Sequence, residues 1–334
     1  MTAASDFRAL EAANRRQTII LIAVMVAILA ALGFAMDVWV GAIRFYGGAP
    51  AGFPVLTVVA LAFGGTQALV SFYGGASLVL MSVHARPLVP DTVQHQTVLD
   101  VIREMAIAAR MPTPRAYIID DPSPNAFATG RDPEHSVICV TQGLVEQMDR
   151  EQLQGVIGHE MSHIRDYDIR TMTVVAVMVG GIAMLSDFFF RAMFYSDGGD
   201  GGSSDDSDSG AGILITLAVF VLAAVAPLAA QIVAMAVSRQ REYLADASSV
   251  EFTRNPRALL RALEQIARTE SPLKAGTSGT AHLFIVNPRE GAREDNERFL
   301  DNLLSTHPPL KRRIERLRAM LGASGSPALG VRGA

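Results

Sequence analysis

His159-Glu160-Met161-Ser162-His163 sets two imidazoles four positions apart with a carboxylate beside the first. On a 3.6-residue helical turn that spacing brings both rings to one face, where each offers a neutral nitrogen to the same tetrahedral metal ion. Glu160 then stands beside the ion, next to His159 and one turn ahead of Ile164. It is close enough to take a proton from a water held there without being a ligand. The reading depends on the stretch being helical, and the flanking residues predict that it is. Asp149 is a good N-cap residue, and Gln152 three places on completes a capping-box pattern. Leu153, Val156, Ile157, Met161 and Ile164 follow at helical spacing, so one face should be buried while another presents the histidines.

A catalytic zinc needs a third protein ligand and an open position. Glu242 is the best candidate, within Ser238-Arg239-Gln240-Arg241-Glu242-Tyr243-Leu244-Ala245-Asp246. This stretch is again compatible with a helix, and Asp246 follows one turn later on the same face. A ligating imidazole usually donates its other N–H to a carboxylate or carbonyl, a task Asp246 can perform for His159 or for His163. The competing reading is an exposed helix whose arginines and glutamate form solvated pairs.

These residues, and the blocks around them, resemble a known family. Ser123 to Pro133, Val140 to Leu144, the zinc motif, Arg241 to Asp246, Ala281 to Pro288 and Ser305 to Pro309 resemble the HtpX heat-shock proteases in order and spacing. These are the bacterial membrane branch of the zinc endopeptidases that also include the CAAX prenyl endopeptidases. The resemblance implies that His159, His163 and Glu242 bind one zinc ion per chain and that Glu160 is the general base and later the acid. It implies that Asn125, Ala126, Phe127 and Ala128 form a substrate-aligning edge strand, pairing with the substrate backbone by strand addition. Phe127 is as well suited to a core as to a pocket. His307 and Arg313 fall where the family places groups thought to stabilise the tetrahedral intermediate, although a histidine ahead of two prolines also fits an ordinary loop. Heat-shock control and cooperation with other membrane quality-control proteases are implied on the same ground.

The apolar content is concentrated in four blocks long enough to cross a bilayer: Thr18 to Met36, within Pro54 to Val83, within Thr171 to Phe190, and Ala211 to Val237. They come as two hairpins. The third carries Asp187 and Arg191 at its far end, leaving open a tilt or an early stop. Three Lys or Arg precede the first block, one lies between the first and second, eight between the second and third, one between the third and fourth, and sixteen after the fourth. Positive-inside bias therefore predicts cytoplasmic N and C termini and a cytoplasmic zinc motif. The outward loops are then Asp37 to Phe53 and Ser196 to Gly210; the second holds five aspartates among glycines and serines and is expected to be disordered. Those aspartates exceed the formal net charge of −4, so the chain's acidity indicates no partner for its catalytic part. The apolar run near the N terminus is as long as a full span, and reads as a signal anchor rather than a cleaved peptide. A single cysteine, Cys139, excludes an intramolecular disulfide, fits a reducing compartment and is expected in a buried strand.

The expected architecture is a mainly α membrane protein, four transmembrane helices in two hairpins plus a cytoplasmic zincin-like α+β catalytic domain with a small sheet. Residues 1–83 form an N-terminal arm and the first hairpin, 84–170 the first catalytic part, 171–237 the second hairpin, 238–325 the second catalytic part and 326–334 a flexible tail. Helices are expected around Val98 to Ala109, at Pro256 to Ala267 and at Pro309 to Leu321, with strands near Tyr117 to Ile119 and Val137 to Val140. His163 lies eight residues before Thr171 and Glu242 five after Val237. At 1.5 Å per helical residue, both ligands should fall within roughly 7 to 12 Å of the span ends, at the membrane surface. The expected partners are polypeptides, chiefly misfolded or misassembled membrane proteins, and the lipid bilayer of a bacterial inner membrane; no nucleic acid is expected. The competing functions are processing of lipidated C-terminal motifs, an inactive membrane scaffold, and metal transport. Transport would require the motif inside a span, yet Arg165, Asp166, Asp168 and Arg170 follow it directly.

Overall fold

The computed structural model divides into two compact units, Met1–Val79 with Thr171–Val237 and Leu80–Arg170 with Ser238–Ala334. It describes residues 3–41, 43–46, 49–196, 209–235, 239–269, 280, 283–285 and 310–324. The acidic loop over 197–208, His307 and the 326–334 tail lie outside these.

The first unit contains α1 (Ala3–Trp39), α2 (Val55–Ser82), α7 (Ser209–Met235) and α6 (Asp168–Ser196) from its third residue past the start. Four stretches, Thr18–Trp39, Val55–Ser82, Asp168–Ala192 and Ile213–Val233, are long and apolar enough to cross a membrane. Their inner faces meet in a core that includes Met25, Leu29, Leu32, Met178, Ile182 and Ala223. Their outer faces expose Leu69, Tyr73, Met81, Ile213, Leu214 and Leu217. An exposed apolar surface of this kind suits contact with lipid, and the helices satisfy their own backbone bonds as a span must. At mid-span of α2 the Gln67 side chain donates to the Val177 carbonyl at 3.0 Å.

Between α1 and α2 the expected plain loop from Asp37 to Phe53 is replaced by structure. Helix α1 runs on to Trp39, and an antiparallel hairpin follows, β1 (Ile43–Tyr46) against β2 (Ala49–Gly52). Asp37 is fully buried. Its carboxylate accepts from the Leu56 and Thr57 N–H groups at 2.8 and 2.7 Å and from the Thr57 hydroxyl at 2.7 Å. It thereby satisfies first-turn amides of α2 that the helix itself leaves open. The expected third span lies within α6, which begins at Asp168 and continues to Ser196, with Asp187 and Arg191 paired at 2.8 Å on its exposed face.

The second unit holds a sheet in the order β3 (Arg86–Pro87), β4 (Arg115–Ile119), β6 (Ser136–Thr141), β5 (Ala126–Gly130). Strands β4 and β6 are parallel, the other pairings antiparallel, and among the described residues β5 is an edge strand. Cys139 lies buried in β6. Helices α3 (Val93–Ala109), α4 (Gln142–Gln147), α5 (Arg150–Arg165), α8 (Arg239–Thr253), α9 (Pro256–Ala267) and α10 (Leu310–Ser324) complete the unit. Helix α5 starts at the Asp149 N-cap with both capping-box bonds formed. It packs among α3, α8 and α9, and its Val156, Ile157 and Met161 join Val98, Ile102, Ile138, Leu259 and Leu263 in one core. Two glycines make the packing close. A Cβ at Gly155 would sit 2.5 Å from the Leu259 backbone nitrogen on α9, and one at Gly158 would sit 3.1 Å from Ser249 Oγ on α8. Ser249 instead donates to the Gly155 carbonyl at 2.6 Å, tying α8 to α5.

Candidate metal centre

His159 and His163 lie one turn apart on α5, and Glu242 comes from the first turn of α8. All three are buried. The two Nε2 atoms are 3.3 Å apart, and each is 3.5 Å from a Glu242 carboxylate oxygen. One potential ligand atom from each residue lies within 4.8 Å of the others. Lone-pair donors gathered this tightly and away from water repel one another unless a cation sits among them. Glu160, beside His159 on α5, is also buried.

Each histidine has its own carboxylate. His159 Nδ1 is 3.0 Å from Asp246 Oδ1, and His163 Nδ1 is 3.2 Å from Asp168 Oδ2. With Nδ1–H donating outward, each Nε2 is left as an acceptor facing Glu242. Each carboxylate in turn meets an arginine. Arg313 donates from Nε and Nη2 to the two Asp246 oxygens at 3.0 and 2.6 Å, and Arg241 Nη1 lies 3.1 Å from Asp168 Oδ1. Arg313 is almost wholly buried, on α10; its Nη1 also donates to the Ile285 carbonyl at 3.0 Å and lies 3.4 Å from Glu242.

The local field favours cations. Glu160, Asp168, Glu242 and Asp246 face two guanidiniums, Arg241 and Arg313, which leaves a formal deficit that a divalent cation cancels. Burial alone lowers the basicity of His163, but the Asp168 hydrogen bond and the charges of Glu242 and Glu160 outweigh it, and its pKa is pushed up to about 9. Burial and Arg313 likewise lower His159, and Asp246 and Glu242 overcome them in raising it. Asp246, although burial raises it, is held below the usual carboxylate range by Arg313 and His159. Two neutral imidazoles, a carboxylate and a net deficit of two positive charges fit zinc.

The expected substrate strand is β5. Thr141 N–H donates to the Asn125 carbonyl at 3.0 Å, so Asn125 faces β6. Alternation along an antiparallel ladder then turns the main-chain groups of Ala126 and Ala128 to the open edge. There the Ala126 carbonyl accepts from Ile285 N–H at 2.9 Å, while the Ala126 N–H donates to the Asn125 side chain at 3.1 Å. Phe127 is fully buried, edge-on to Phe284 with ring centroids 4.9 Å apart, and so is a core residue.

Asp168, Arg241 and Ile285 were not singled out by sequence reasoning. Asp168 is five residues beyond His163, off the helical face of α5. It returns to the histidine because the chain breaks between α5 and α6, where Tyr167 takes a left-handed φ of 61°. The available signal was Asp168 within the charged run Arg165, Asp166, Asp168 and Arg170 that follows the motif.

Comparison with known proteins defines the class: residues 93–321 match the model of peptidase family M48. A protein described as Protease HtpX homolog from Caldanaerobacter subterraneus subsp. tengcongensis is 38% identical over 311 residues, 93% of this chain and 97% of its own. Another with that description, from Lactobacillus helveticus, is 39% identical over 317 residues, 92% of this chain and 98% of its own. A crystal structure of S. mikatae Ste24p aligns with 92% of this chain and 66% of its own at 17% identity and a TM-score of 0.47. The chain belongs to peptidase family M48, among its HtpX-type members. It is a metalloprotease of the membrane.

Proposed function

We propose that this protein is a zinc endopeptidase of a bacterial inner membrane that cleaves internal peptide bonds of misfolded or misassembled membrane proteins at the cytoplasmic face. The observation that carries the reading is the buried His159, His163 and Glu242 group with Glu160 on the same helical turn. His159, His163 and Glu242 would hold the ion. Zinc supplies Lewis-acid polarisation of a carbonyl and makes water more acidic. Glu160 takes the proton of the attacking water on a carboxylate oxygen and returns it to the leaving nitrogen. Asp246 and Asp168 hold the imidazoles in the tautomer that turns Nε2 inward. The substrate backbone adds to the edge of β5, with Ala128 the pairing position because Ile285 takes the Ala126 carbonyl. Arg313, committed to Asp246 and Ile285, sets the geometry around Glu242; a role for it or His307 toward the reacting carbonyl belongs to the same proposal. The cytoplasmic setting is supported by the distribution of Lys and Arg along the sequence.

The test is zinc content and casein cleavage of the purified protein. Glu160→Gln should keep the metal and lose about 10²–10⁴-fold in kcat, because an amide cannot accept the proton. Ala at His159, His163 or Glu242 should lose metal and activity together. A Glu242→Ala protein that holds zinc as tightly as the parent would remove Glu242 from the ligand set.

A further inference from the structure

We infer that Asp168 and Arg241 are positioning residues for the metal centre, forming a brace for His163 that mirrors the Arg313–Asp246 brace of His159. The inference rests on the zinc reading of His163. Both carboxylates are buried, and each meets the Nδ1 of one histidine and a guanidinium: Asp168 with separate oxygens, Asp246 with Oδ1 toward both His159 and Arg313 and Oδ2 toward Arg313. Arg313 reaches Asp246 from α10, whereas Arg241 is the residue next to Glu242 on α8.

The Arg241 placement gives the brace its function. An imidazole ring with a single hydrogen-bonded nitrogen still swings about its Cβ–Cγ bond unless the acceptor is itself fixed. Asp168 is fixed twice. It lies in the first turn of α6, where backbone N–H groups favour a carboxylate, and it pairs at 3.1 Å with Arg241. Because Arg241 and Glu242 are consecutive, the same turn of α8 that supplies the third ligand also fixes the acceptor that orients the second. The positions of His163 Nε2 and the Glu242 carboxylate are therefore set by one short piece of α8. Asp166, nearer in sequence, does not do this: it pairs with Arg165 at 3.2 Å.

The competing explanation is an ion pair that only joins α6 to α8, and the experiment separates the two. The full-length protein in detergent is compared as parent, Asp168→Ala, Asp168→Asn, Arg241→Ala and His163→Ala. Zinc dissociation constants come from competition with a chelator, and thermal unfolding is followed with saturating zinc and after chelation. A positioning role predicts that Asp168→Ala weakens zinc by about ten- to a hundredfold. It predicts a smaller loss for Asp168→Asn, whose amide oxygen still accepts from Nδ1–H, and for Arg241→Ala, which keeps the acceptor. The melting temperature of Asp168→Ala should drop mainly in the zinc-bound form. Unchanged zinc affinity in Asp168→Ala, or an equal fall of melting temperature with and without zinc, would overturn the brace. If His163→Ala binds zinc as the parent does, the failure lies instead in the zinc reading.

Discussion

On the proposed ligand set His163 answers to two cations, a proton and a metal, and the carboxylates around it attract both. In the metal-free protein its pKa is pushed up from 6.5 to about 9 despite burial, by Asp168, Glu242 and Glu160. An imidazolium has no lone pair to offer, so binding must release that proton. Apparent zinc affinity is therefore expected to climb at least about tenfold per pH unit below about 9, then level off. The effect on the metal-free fold has the opposite sign. The protonated ring contributes stability that is complete below 6.5 and is lost as pH rises through about 9. Chelator competition across that window checks the first statement, and a flat profile would mean that His163 is neutral throughout. At this scale the sequence carried the residues related by helical spacing: His159, Glu160 and His163 within one turn, and Glu242 with Asp246. It did not carry Asp168, because its return to His163 depends on the turn at Tyr167, where a non-glycine residue adopts a conformation that no local pattern announces.

Helix α5 can present its histidines only because its other faces are packed tightly against three neighbours. Gly155 is the sharpest constraint, since the atoms a side chain would meet are the backbone of Leu259 and Ala258 at 2.5 to 2.8 Å, which cannot turn aside. Gly155→Val is expected to push α9 from α5 and destabilise the catalytic unit by about 1–3 kcal/mol, with weaker zinc binding because His159 is one turn on. Thermal unfolding with and without zinc measures it; an unchanged melting temperature would mean the helices separate without strain. Helices α5 and α9 and strands β4 and β6 were legible in advance, because caps and apolar periodicity are local signals. The β1–β2 hairpin and the capping of α2 by Asp37 were not, since the cap comes from a residue 19 positions away in sequence.

For the whole molecule, the side of the membrane that carries the chemistry decides which polypeptides the site can meet. The counts of Lys and Arg predict residue 203 outside and residue 324 inside. With Cys139 replaced by Ser, a cysteine at residue 203 should react with a membrane-impermeant thiol reagent once any outer envelope is opened, and a cysteine at 324 should not. Labelling at 324 would reverse the orientation of the zinc motif with it.

The catalytic unit is written in two pieces, with both histidines and Asp168 in the first and Glu242, Asp246 and Arg313 in the second. During synthesis the ribosome delivers the first piece, then the whole of Thr171–Val237, and only then Glu242, the proposed third ligand. A growing chain therefore carries two imidazoles and a base with no complete cage for the ion. On the proposed ligand set, the first piece and the whole second hairpin are made before the ion's cage can close, and closure waits on the emergence of Glu242.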